Sequence, residues 1–396
     1  MRRVLAVLGA VYAFAGLARA ESVVVLPFFN VSKNASLDWV GESVSETVRD
    51  ALASEGVMAL DREERIEVYR RLSIRPYVLL TTASVMKIAS ALDAEQVVYG
   101  QFDLKPAANG QPLSKGSLEI SAHLVDIKRM ARGGDLSEVG ALEDLAVLQR
   151  HLAWQTLRLV IPNSNLTETE FTNRHPAVRV DAIENYIRGL LASTPEEKHR
   201  FFTQAARLDA NYSQPCFQIG KLEFANKDYR VAADWLQKVP PSDVHFREAR
   251  FFLGLSLYHT GDFARAQNAF QVVAQIVPLN EVYNDIGAAQ SRRNLPDAAD
   301  SFKKALDGDP NDPVYQFNYG YALWKQSDFD RAAERFRAAL QRAPQDTEAA
   351  AMLDRCLKHN GPRPGDTKTD RLERLKTDYE ESAWWQLKAA LQPQKP

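Results

Sequence analysis

The sequence predicts an α/β N-terminal domain followed by an all-α solenoid of helical repeats. Two observations lead to this prediction. Residues 22–160 alternate between β-branched runs and amphipathic helical stretches, which is the pattern of an α/β unit. After them, Gly220, Gly254, Gly287 and Gly320 recur at intervals of 34, 33 and 33 residues in otherwise helical sequence. A fixed period of this length is typical of helical repeats.

The composition limits the size and the partners of the protein. With 396 residues the chain has room for two or three domains. Its 49 Lys and Arg residues stand against 51 Asp and Glu residues, and this net charge of −2 predicts no nucleic-acid partner. Cys216 and Cys356 are too few for a disulfide framework and too far apart for a zinc site.

The first residues have the pattern of a secretory signal. Arg2 and Arg3 precede an apolar run over residues 4–17, and Ala18 and Ala20 form a small-x-small cleavage site. We therefore expect cleavage after Ala20 and a periplasmic mature protein. No later stretch is long and apolar enough to span a bilayer, so the sequence predicts no integral membrane segment in the mature chain.

The α/β domain is expected to begin with a buried strand at 22–29, because this run is continuously apolar. Asp38 then precedes a helix whose apolar residues recur at helical spacing, with Gly56 beyond its last turn. The other predicted elements are a short strand at 57–60, helices at 63–72 and 84–92, strands at 96–104, 117–127 and 134–140, and a helix at 142–159.

Three segments of this domain carry a family resemblance. They read VVLPF at 24–28, LDWVG at 37–41 and ALDAEQVVYG at 91–100. In these segments the chain resembles the TolB amino-terminal-like α/β domains of exported bacterial proteins. The resemblance implies protein contacts rather than catalysis. The lipoproteins of similar fold carry a lipidated cysteine, which is missing here, so a membrane anchor is not implied.

The second half shows a repeated pattern beyond its glycines. An alanine and then a bulky residue follow each glycine, and proline ends several of the second helices. The turns between helices read KDY at 227–229, GDF at 261–263 and SDF at 327–329, where aspartate can cap the second helix. In these features the chain resembles the tetratricopeptide repeat.

The predicted organisation has six parts. They are a signal peptide at 1–20, an α/β domain at 21–160, a linker at 161–177, a solenoid of about four to five repeats with a closing helix at 178–360, a flexible linker at 361–370 and a C-terminal amphipathic helix at 371–391. We expect the first linker to join two separable folding units, because it is polar and breaks both periodicities.

The repeat resemblance also implies a partner-binding groove, since first helices line the concave face in this family. Repeat positions 5, 9 and 12 predict that the groove is formed by Phe217, Lys221, Phe224, Phe251, Leu255, Tyr258, Phe317, Tyr321 and Trp324, with Asn284, Ala288 and Ser291 in a polar middle. The lysine and asparagine pattern that holds a peptide carboxylate in some arrays is absent. The alternative is that these aromatic residues pack between helices or under the C-terminal segment.

The predicted C-terminal helix has an apolar stripe that includes Leu372, Leu375 and Tyr379, while Trp384 and Trp385 fall partly off it. This is more aromatic surface than a solvated helix should expose. We therefore expect the segment to pack on the solenoid, either as a regulatory cover of the groove or as a structural cap.

The sequence predicts no catalytic, cofactor-binding or metal-binding residues. The seven histidines show no local zinc-ligand spacing, and the phosphate-binding loop and nucleophile-elbow motifs are missing. We expect a non-enzymatic periplasmic adaptor that binds a protein or peptide in the cell envelope through the groove and the α/β domain. The alternative is a periplasmic ligand-sensing regulatory protein, and an exported hydrolase is a third reading.

Overall fold

A computed structural model describes residues 22–32, 34–105, 112–363 and 365–385. The predicted signal peptide at 1–20 and the end of the predicted C-terminal helix, 386–391, lie outside these residues. Within the described ranges, no helix has the length and apolar character needed to cross a membrane.

The N-terminal part contains a mixed sheet whose strands run in the order β3-β1-β4-β5-β6, with β2 paired to β4. The strands are β1 (Ser22–Val25), β2 (Phe29–Asn30), β3 (Met58–Ala59), β4 (Gln96–Lys105), β5 (Ser117–Asp126) and β6 (Ala131–Ala141). β1 pairs in parallel with β3 and β4, and β2 pairs in parallel with β4. β5 pairs antiparallel with β4 and β6. The predicted strand at 22–29 is divided around Pro27, which has no N–H to donate to a neighbouring strand.

Four helices complete the α/β unit: α1 (Asp38–Ser54), α2 (Arg62–Arg71), α3 (Thr82–Leu92) and α4 (Leu145–Val160). The apolar stripe of α1 includes Val40, Val44 and Val48, which are fully buried in one core with Leu152 of α4 and the sheet. The predicted α/β N-terminal domain is confirmed.

Twelve helices follow within the described residues, and most of them pair in sequence. They are α5 (Glu168–Arg174), α6 (Val180–Leu191), α7 (Pro195–Leu208), α8 (Gln214–Ala225), α9 (Tyr229–Leu236), α10 (Phe246–His259), α11 (Phe263–Ile276), α12 (Asn280–Arg292), α13 (Ala298–Gly308), α14 (Pro313–Lys325), α15 (Phe329–Arg342) and α16 (Thr347–Leu357). The helices from α6 to α15 form five antiparallel pairs and α16 closes the array, which confirms the predicted all-α solenoid. Asp228, Asp262 and Asp328 cap the second helices as predicted.

The periodic glycines allow the two helices of each pair to approach closely. A Cβ atom added at Gly254 would lie 2.6 Å from Cε1 of Phe270, and one at Gly287 would lie 2.7 Å from Cδ1 of Phe302. The bulky residue after each alanine therefore fills the space that the glycine leaves. This explains why the two positions recur with one period.

The predicted linker at 161–177 differs from the expectation of an irregular connection. It contains α5, and Phe171 of this helix is fully buried in the same core as Val40 of α1 and Ile187 of α6. A single buried aromatic residue gives no periodic signal, so the sequence did not reveal this packing. The α/β domain and the first repeat share one hydrophobic core.

The predicted helix at 371–391 is wrong over its first ten residues. Residues 372–380 have no helical backbone, and a helical turn is present at 381–385. The main chain of this segment bonds to side chains of the solenoid instead of to itself, as described below. Tertiary hydrogen bonds therefore override the helical spacing of its apolar residues.

Candidate functional site

The C-terminal segment at 366–385, here called the tail, lies across one face of the solenoid. We call this surface the first-helix face. The residues of α10, α12 and α14 that contact the tail there include Phe251, Glu281, Asn284, Asp285, Phe317, Asn318 and Tyr321. Five tail residues pack against the cores of the repeats: Leu372, Leu375, Tyr379, Trp384 and Trp385.

Two buried asparagines hold the tail main chain at Arg374. Asn318 Oδ1 accepts a hydrogen bond from Arg374 N at 2.9 Å, and Asn318 Nδ2 donates to Arg374 O at 2.7 Å. Asn284 Nδ2 donates to the same carbonyl oxygen at 2.8 Å. Both asparagines have no exposed surface. Because these bonds use only main-chain atoms of the tail, they select an extended backbone rather than a particular side chain.

Two carboxylates of α12 add main-chain contacts. Asp285 Oδ1 accepts from Lys376 N at 2.9 Å, and Glu281 Oε1 accepts from Glu380 N at 3.0 Å. Burial raises the pKa of Asp285 well above its usual range, and it also raises the pKa of Glu281. Arg374 and Lys376 are alternate residues, so the bonds to both of them fit an extended strand.

The Arg374 side chain occupies an acidic and aromatic site. Its Nη2 lies 2.8 Å from Asp346 Oδ1 and 2.9 Å from Glu348 Oε2. Its Cζ lies 3.5 Å from the centre of the Phe317 ring, which is a cation–π contact. The hydrogen bond from Arg374 helps to hold the pKa of Asp346 below its usual value.

The Lys376 side chain occupies the neighbouring site. Its Nζ forms an ion pair with Asp312 and lies 4.8 Å from the centre of the Tyr315 ring. Asp312 is also the N-cap of α14, and Asp346 is the N-cap of α16. Each aspartate therefore caps a first helix and pairs with a basic side chain of the tail. We call Asp312, Asp346 and Glu348 the acidic rim.

The C-terminal part of the tail packs on α10. The Tyr379 ring lies 5.1 Å from the Phe251 ring, and Tyr379 Oη donates to Glu381 Oε2 at 2.6 Å. Glu381 also forms an ion pair with Arg247 and accepts from Trp385 Nε1. An aromatic and ionic cluster thus fixes this end of the tail.

The N-terminal part of the tail is held near α14. Tyr321 Oη donates to Thr369 O at 2.7 Å. The Glu373 carboxylate is buried, where it accepts from Ser291 Oγ at 2.6 Å and lies 3.9 Å from Lys325 Nζ. Both ends of the tail are therefore anchored, with Asn318 between them.

The predicted groove residues are distributed between the tail and the interior of the solenoid. Phe251, Phe317 and Tyr321 contact the tail, and Trp324 Nε1 donates to Asn360 O at 2.7 Å, just before the tail begins. Leu255 is fully buried within the repeats.

The remaining predicted residues pack within the array or against it. Phe217 stacks on His245, Lys221 pairs with Glu248, Phe224 contacts Phe252 edge to face, and Tyr258 contacts Phe263 edge to face. Of the predicted polar middle, Asn284 and Ser291 bind the tail, and Ala288 is buried in the core. Trp384 and Trp385 are half-buried against the α8–α12 core.

The sequence reasoning missed several residues that make polar contacts with the tail. Among them are Asn318, Asp285, Asp312 and Asp346. A signal was present: Asn284 and Asn318 stand 34 residues apart, and so do Asp312 and Asp346. Polar residues that recur with the repeat period on first helices indicate a shared function on one face.

A cavity of about 220 Å³ lies between the α/β domain and the solenoid. It is lined by α1, α4, α5, α6 and the connections before α8 and α10. Several of its polar side chains bond to one another: Gln214 to Asp50, Ser213 to Asp243 and Ser43 to Gln149. These bonds favour a structural joint over a ligand site. In the described part of the chain, no cluster of His, Cys, Asp or Glu has a metal-binding arrangement.

Comparison with known proteins identifies the repeats. Residues 217–281 and 288–347 match the family model of the tetratricopeptide repeat. No curated protein sequence matches the chain. These segments are tetratricopeptide repeats, a class whose proteins serve as scaffolds for protein interactions.

Several solved structures are similar to a part of this chain. MamA from Desulfovibrio magneticus RS-1 is 24% identical, covering 40% of this chain and 92% of its own, with a TM-score of 0.37. YrrB, described as a repeat protein with an unusual peptide-binding site, is 17% identical over 48% of this chain and 90% of its own, with a TM-score of 0.35. Pseudomonas aeruginosa PilF is 17% identical over 41% of this chain and 76% of its own, with a TM-score of 0.36.

Proposed function

We propose that the protein is a non-enzymatic periplasmic adaptor that holds a partner protein of the cell envelope by an extended segment on the first-helix face. The observation that carries this proposal is the pair of hydrogen bonds between Asn318 and both main-chain polar groups of Arg374. A face that binds main-chain atoms can accept a segment of another protein in the same way.

The cost of burying polar groups supports a recognition role. A buried amide without hydrogen-bond partners costs about 1–3 kcal/mol. A C-terminal segment that merely caps the solenoid could be held by apolar side chains alone, without this cost. The α12 and α14 helices instead bury Asn284, Asp285 and Asn318 together. These groups find donors and acceptors on an extended chain, which makes the face selective for that conformation.

The envelope location is proposed from the sequence. The signal-like pattern before Glu21 and the TolB-like segments of the α/β domain support export and protein contacts there. The test is N-terminal sequencing of the protein from a periplasmic fraction. We expect the mature chain to begin at Glu21, and a cytoplasmic chain that keeps Met1 would overturn the export proposal.

The adaptor proposal is tested with the full chain carrying Arg374→Glu and Lys376→Glu, here called the tail-weakened variant. The two glutamates face the acidic rim, so the tail should leave the first-helix face. A fluorescent peptide with the sequence of residues 369–381 should then bind, with affinity measured by fluorescence anisotropy. Adding Asn284→Ala and Asn318→Ala should abolish this binding.

A matched control is Asn185→Ala, because Asn185 is a half-buried residue of α6, outside the first-helix face, whose side chain donates in the described structure to Asp181 O of its own helix. It should leave peptide affinity unchanged. Failure of the peptide to bind the tail-weakened variant, or binding that ignores the two asparagines, would refute the groove as a peptide site. For the ligand-sensing alternative, the interdomain cavity is a weak candidate site, because several of its polar side chains already bond to one another.

A further inference from the structure

The side chains of the tail occupy separate sites on the first-helix face. These sites indicate which side chains a ligand of this face must carry. We infer that the partner carries an extended segment with the side-chain pattern of residues 373–379, Glu-Arg-x-Lys-x-x-Tyr, and that the tail occupies the face until such a segment displaces it. This inference rests on the proposed function and adds the chemistry of the partner to it.

The main-chain bonds fix the direction and the register of the bound segment. Asn318 binds both N and O of one residue, so a reversed chain would not present both groups in the same geometry. The position of the N-terminal end is fixed by the hydrogen bond from Tyr321 to Thr369 O. The position of the C-terminal end is fixed by the contact between the Tyr379 and Phe251 rings. A partner segment must therefore run from α14 towards α10.

The acidic rim selects two basic residues at alternate positions. Asp346 and Glu348 bind Arg374, and Asp312 binds Lys376. Successive side chains of an extended strand point in opposite directions, so residues two apart reach the same rim. With the tail displaced, the three carboxylates would attract a basic segment and repel an acidic one.

A buried site before the arginine selects an acidic residue. Only 1% of the Glu373 side chain is exposed, and it bonds to Ser291 and lies near Lys325. Burying a carboxylate is costly unless it is paired, and Lys325 supplies a cation of the opposite sign. An apolar residue at this position would leave Lys325 and Ser291 without this partner.

An aromatic residue completes the pattern three positions after the lysine. Tyr379 packs on the fully buried Phe251 ring, and aromatic pairs add about 0.5–1.5 kcal/mol beyond the area they bury. The four selective sites thus span seven residues, which is enough to distinguish one segment from most others.

The tether makes the tail a strong competitor. A short covalent linker gives an effective concentration of the order of millimolar, and only residues 358–365 separate the end of α16 from the tail. A partner with the same pattern must therefore bind more tightly than the tail or be present at a comparable concentration. Occupancy of the face thus depends on partner concentration and affinity.

The experiment compares two peptides on the tail-weakened variant and on the wild-type chain. The parent peptide has the sequence of residues 369–381. The alanine peptide has alanine at the two positions equivalent to Arg374 and Lys376 and keeps the arginine equivalent to Arg371. We expect the parent peptide to bind the tail-weakened variant at least about 10-fold more tightly than the alanine peptide does, as loss of charged hydrogen bonds implies. Wild type should bind the parent peptide more weakly than the tail-weakened variant does.

A double-mutant cycle assigns this selectivity to the acidic rim. Asp312→Asn and Asp346→Asn remove the two charges, while asparagine remains a good N-cap for α14 and α16. In the tail-weakened background they should reduce parent-peptide affinity about 10-fold and leave alanine-peptide affinity almost unchanged. Unchanged melting temperatures would show that the helices remain intact.

The outcomes separate the two proposals. Equal affinity for the two peptides, with binding still lost when Asn284 and Asn318 are replaced, would overturn the pattern and leave the peptide-binding face standing. Absence of binding by either peptide would overturn the proposed function itself. A wild-type dimer that exchanges tails, detected by light scattering, would make a second copy the ligand and would overturn the inferred partner.

Discussion

Asn318 shows how one buried side chain can recognise a backbone. Its amide offers one acceptor and two donors, and the structure uses them on Arg374 N, Arg374 O and Asn284 Oδ1. An aliphatic residue of similar size would bury apolar area but leave two main-chain groups of the tail without partners. The identity of this residue therefore decides whether an extended chain can dock.

The first prediction concerns Asn318→Ala. Loss of its hydrogen bonds leaves buried polar groups unsatisfied, and we expect the free energy of unfolding to fall by about 1–3 kcal/mol. Urea denaturation measures this change, with Asn185→Ala as the control that loses one bond within its own helix and should alter stability little. A stability loss no larger than the control's would contradict the assigned bonds.

The second prediction concerns the pH dependence at the interdomain joint. Burial raises the pKa of Asp50 to about 7. Its ion-pair partner Arg49 also forms ion pairs with Glu46 and Asp61. The ordinary value in an unfolded chain is near 4. From pH 4 to 7 the folded protein therefore retains a proton that the unfolded chain has lost, so this group's contribution to stability decreases as pH rises and is constant above 7.

Asp50→Asn removes this titration and keeps an acceptor for Gln214. Its stability relative to wild type should rise between pH 4 and 7, with a slope of at most about 1.4 kcal/mol per pH unit, and then level off. Urea titrations at several pH values measure it. A flat difference for Asp50→Asn would count against the raised pKa.

At the scale of helices, Gly254 gives a prediction in which two effects have opposite signs. Alanine is favoured over glycine in a helix interior by about 1 kcal/mol, so helix propensity alone predicts stabilisation by Gly254→Ala. The added Cβ would meet Phe270 at 2.6 Å, and overpacking typically costs about 1–3 kcal/mol. We expect net destabilisation in thermal unfolding, larger for Gly254→Leu, whereas a raised melting temperature would contradict the assigned helix packing.

Sequence patterns predicted the elements whose signal is local. The period of Gly220, Gly254, Gly287 and Gly320 identified the solenoid, and β-branched runs identified the strands. The prediction for the tail was wrong, because Leu372, Leu375 and Tyr379 have helical spacing in a segment that has no helical backbone. Its conformation is decided by donors and acceptors on α12 and α14, which lie far away in sequence.

The site was predicted only where aromatic residues indicate a groove. Phe251, Phe317 and Tyr321 were found because they occupy repeat positions. Asp312 and Asp346 resemble ordinary N-cap residues, and nothing local shows that each also binds a basic side chain of the tail. That second role depends on where the tail lies.

At the scale of the molecule, the shared core changes the expected domain behaviour. Phe171 of α5 packs with α1 and α6, so the 161–177 segment should resist proteolysis although it reads as a linker. We expect trypsin to cut after Lys368 or Arg371, which are exposed, before it cuts after Arg174. Mass spectrometry of timed digests measures this order.

Phe171→Ala is the matching variant, since phenylalanine-to-alanine changes in a core cost about 3–5 kcal/mol. In this variant, cleavage after Arg174 should begin earlier than in the wild-type chain, and the rate of cleavage after Lys368 should not change. Early cleavage at Arg174 in the wild-type chain would support two independent folding units instead of one continuous core.

The most direct test of the account is amide hydrogen exchange of the tail in the full wild-type chain, resolved by residue. The amides of Arg374, Lys376 and Glu380 donate to Asn318, Asp285 and Glu281. The described structure shows no acceptor for the Leu375 and Thr377 amides. We expect the three bonded amides to exchange at least about 10-fold more slowly than these two neighbours, and the difference at Arg374 to disappear in Asn318→Ala. Uniform, fast exchange along 372–380 would show that the tail does not occupy the first-helix face.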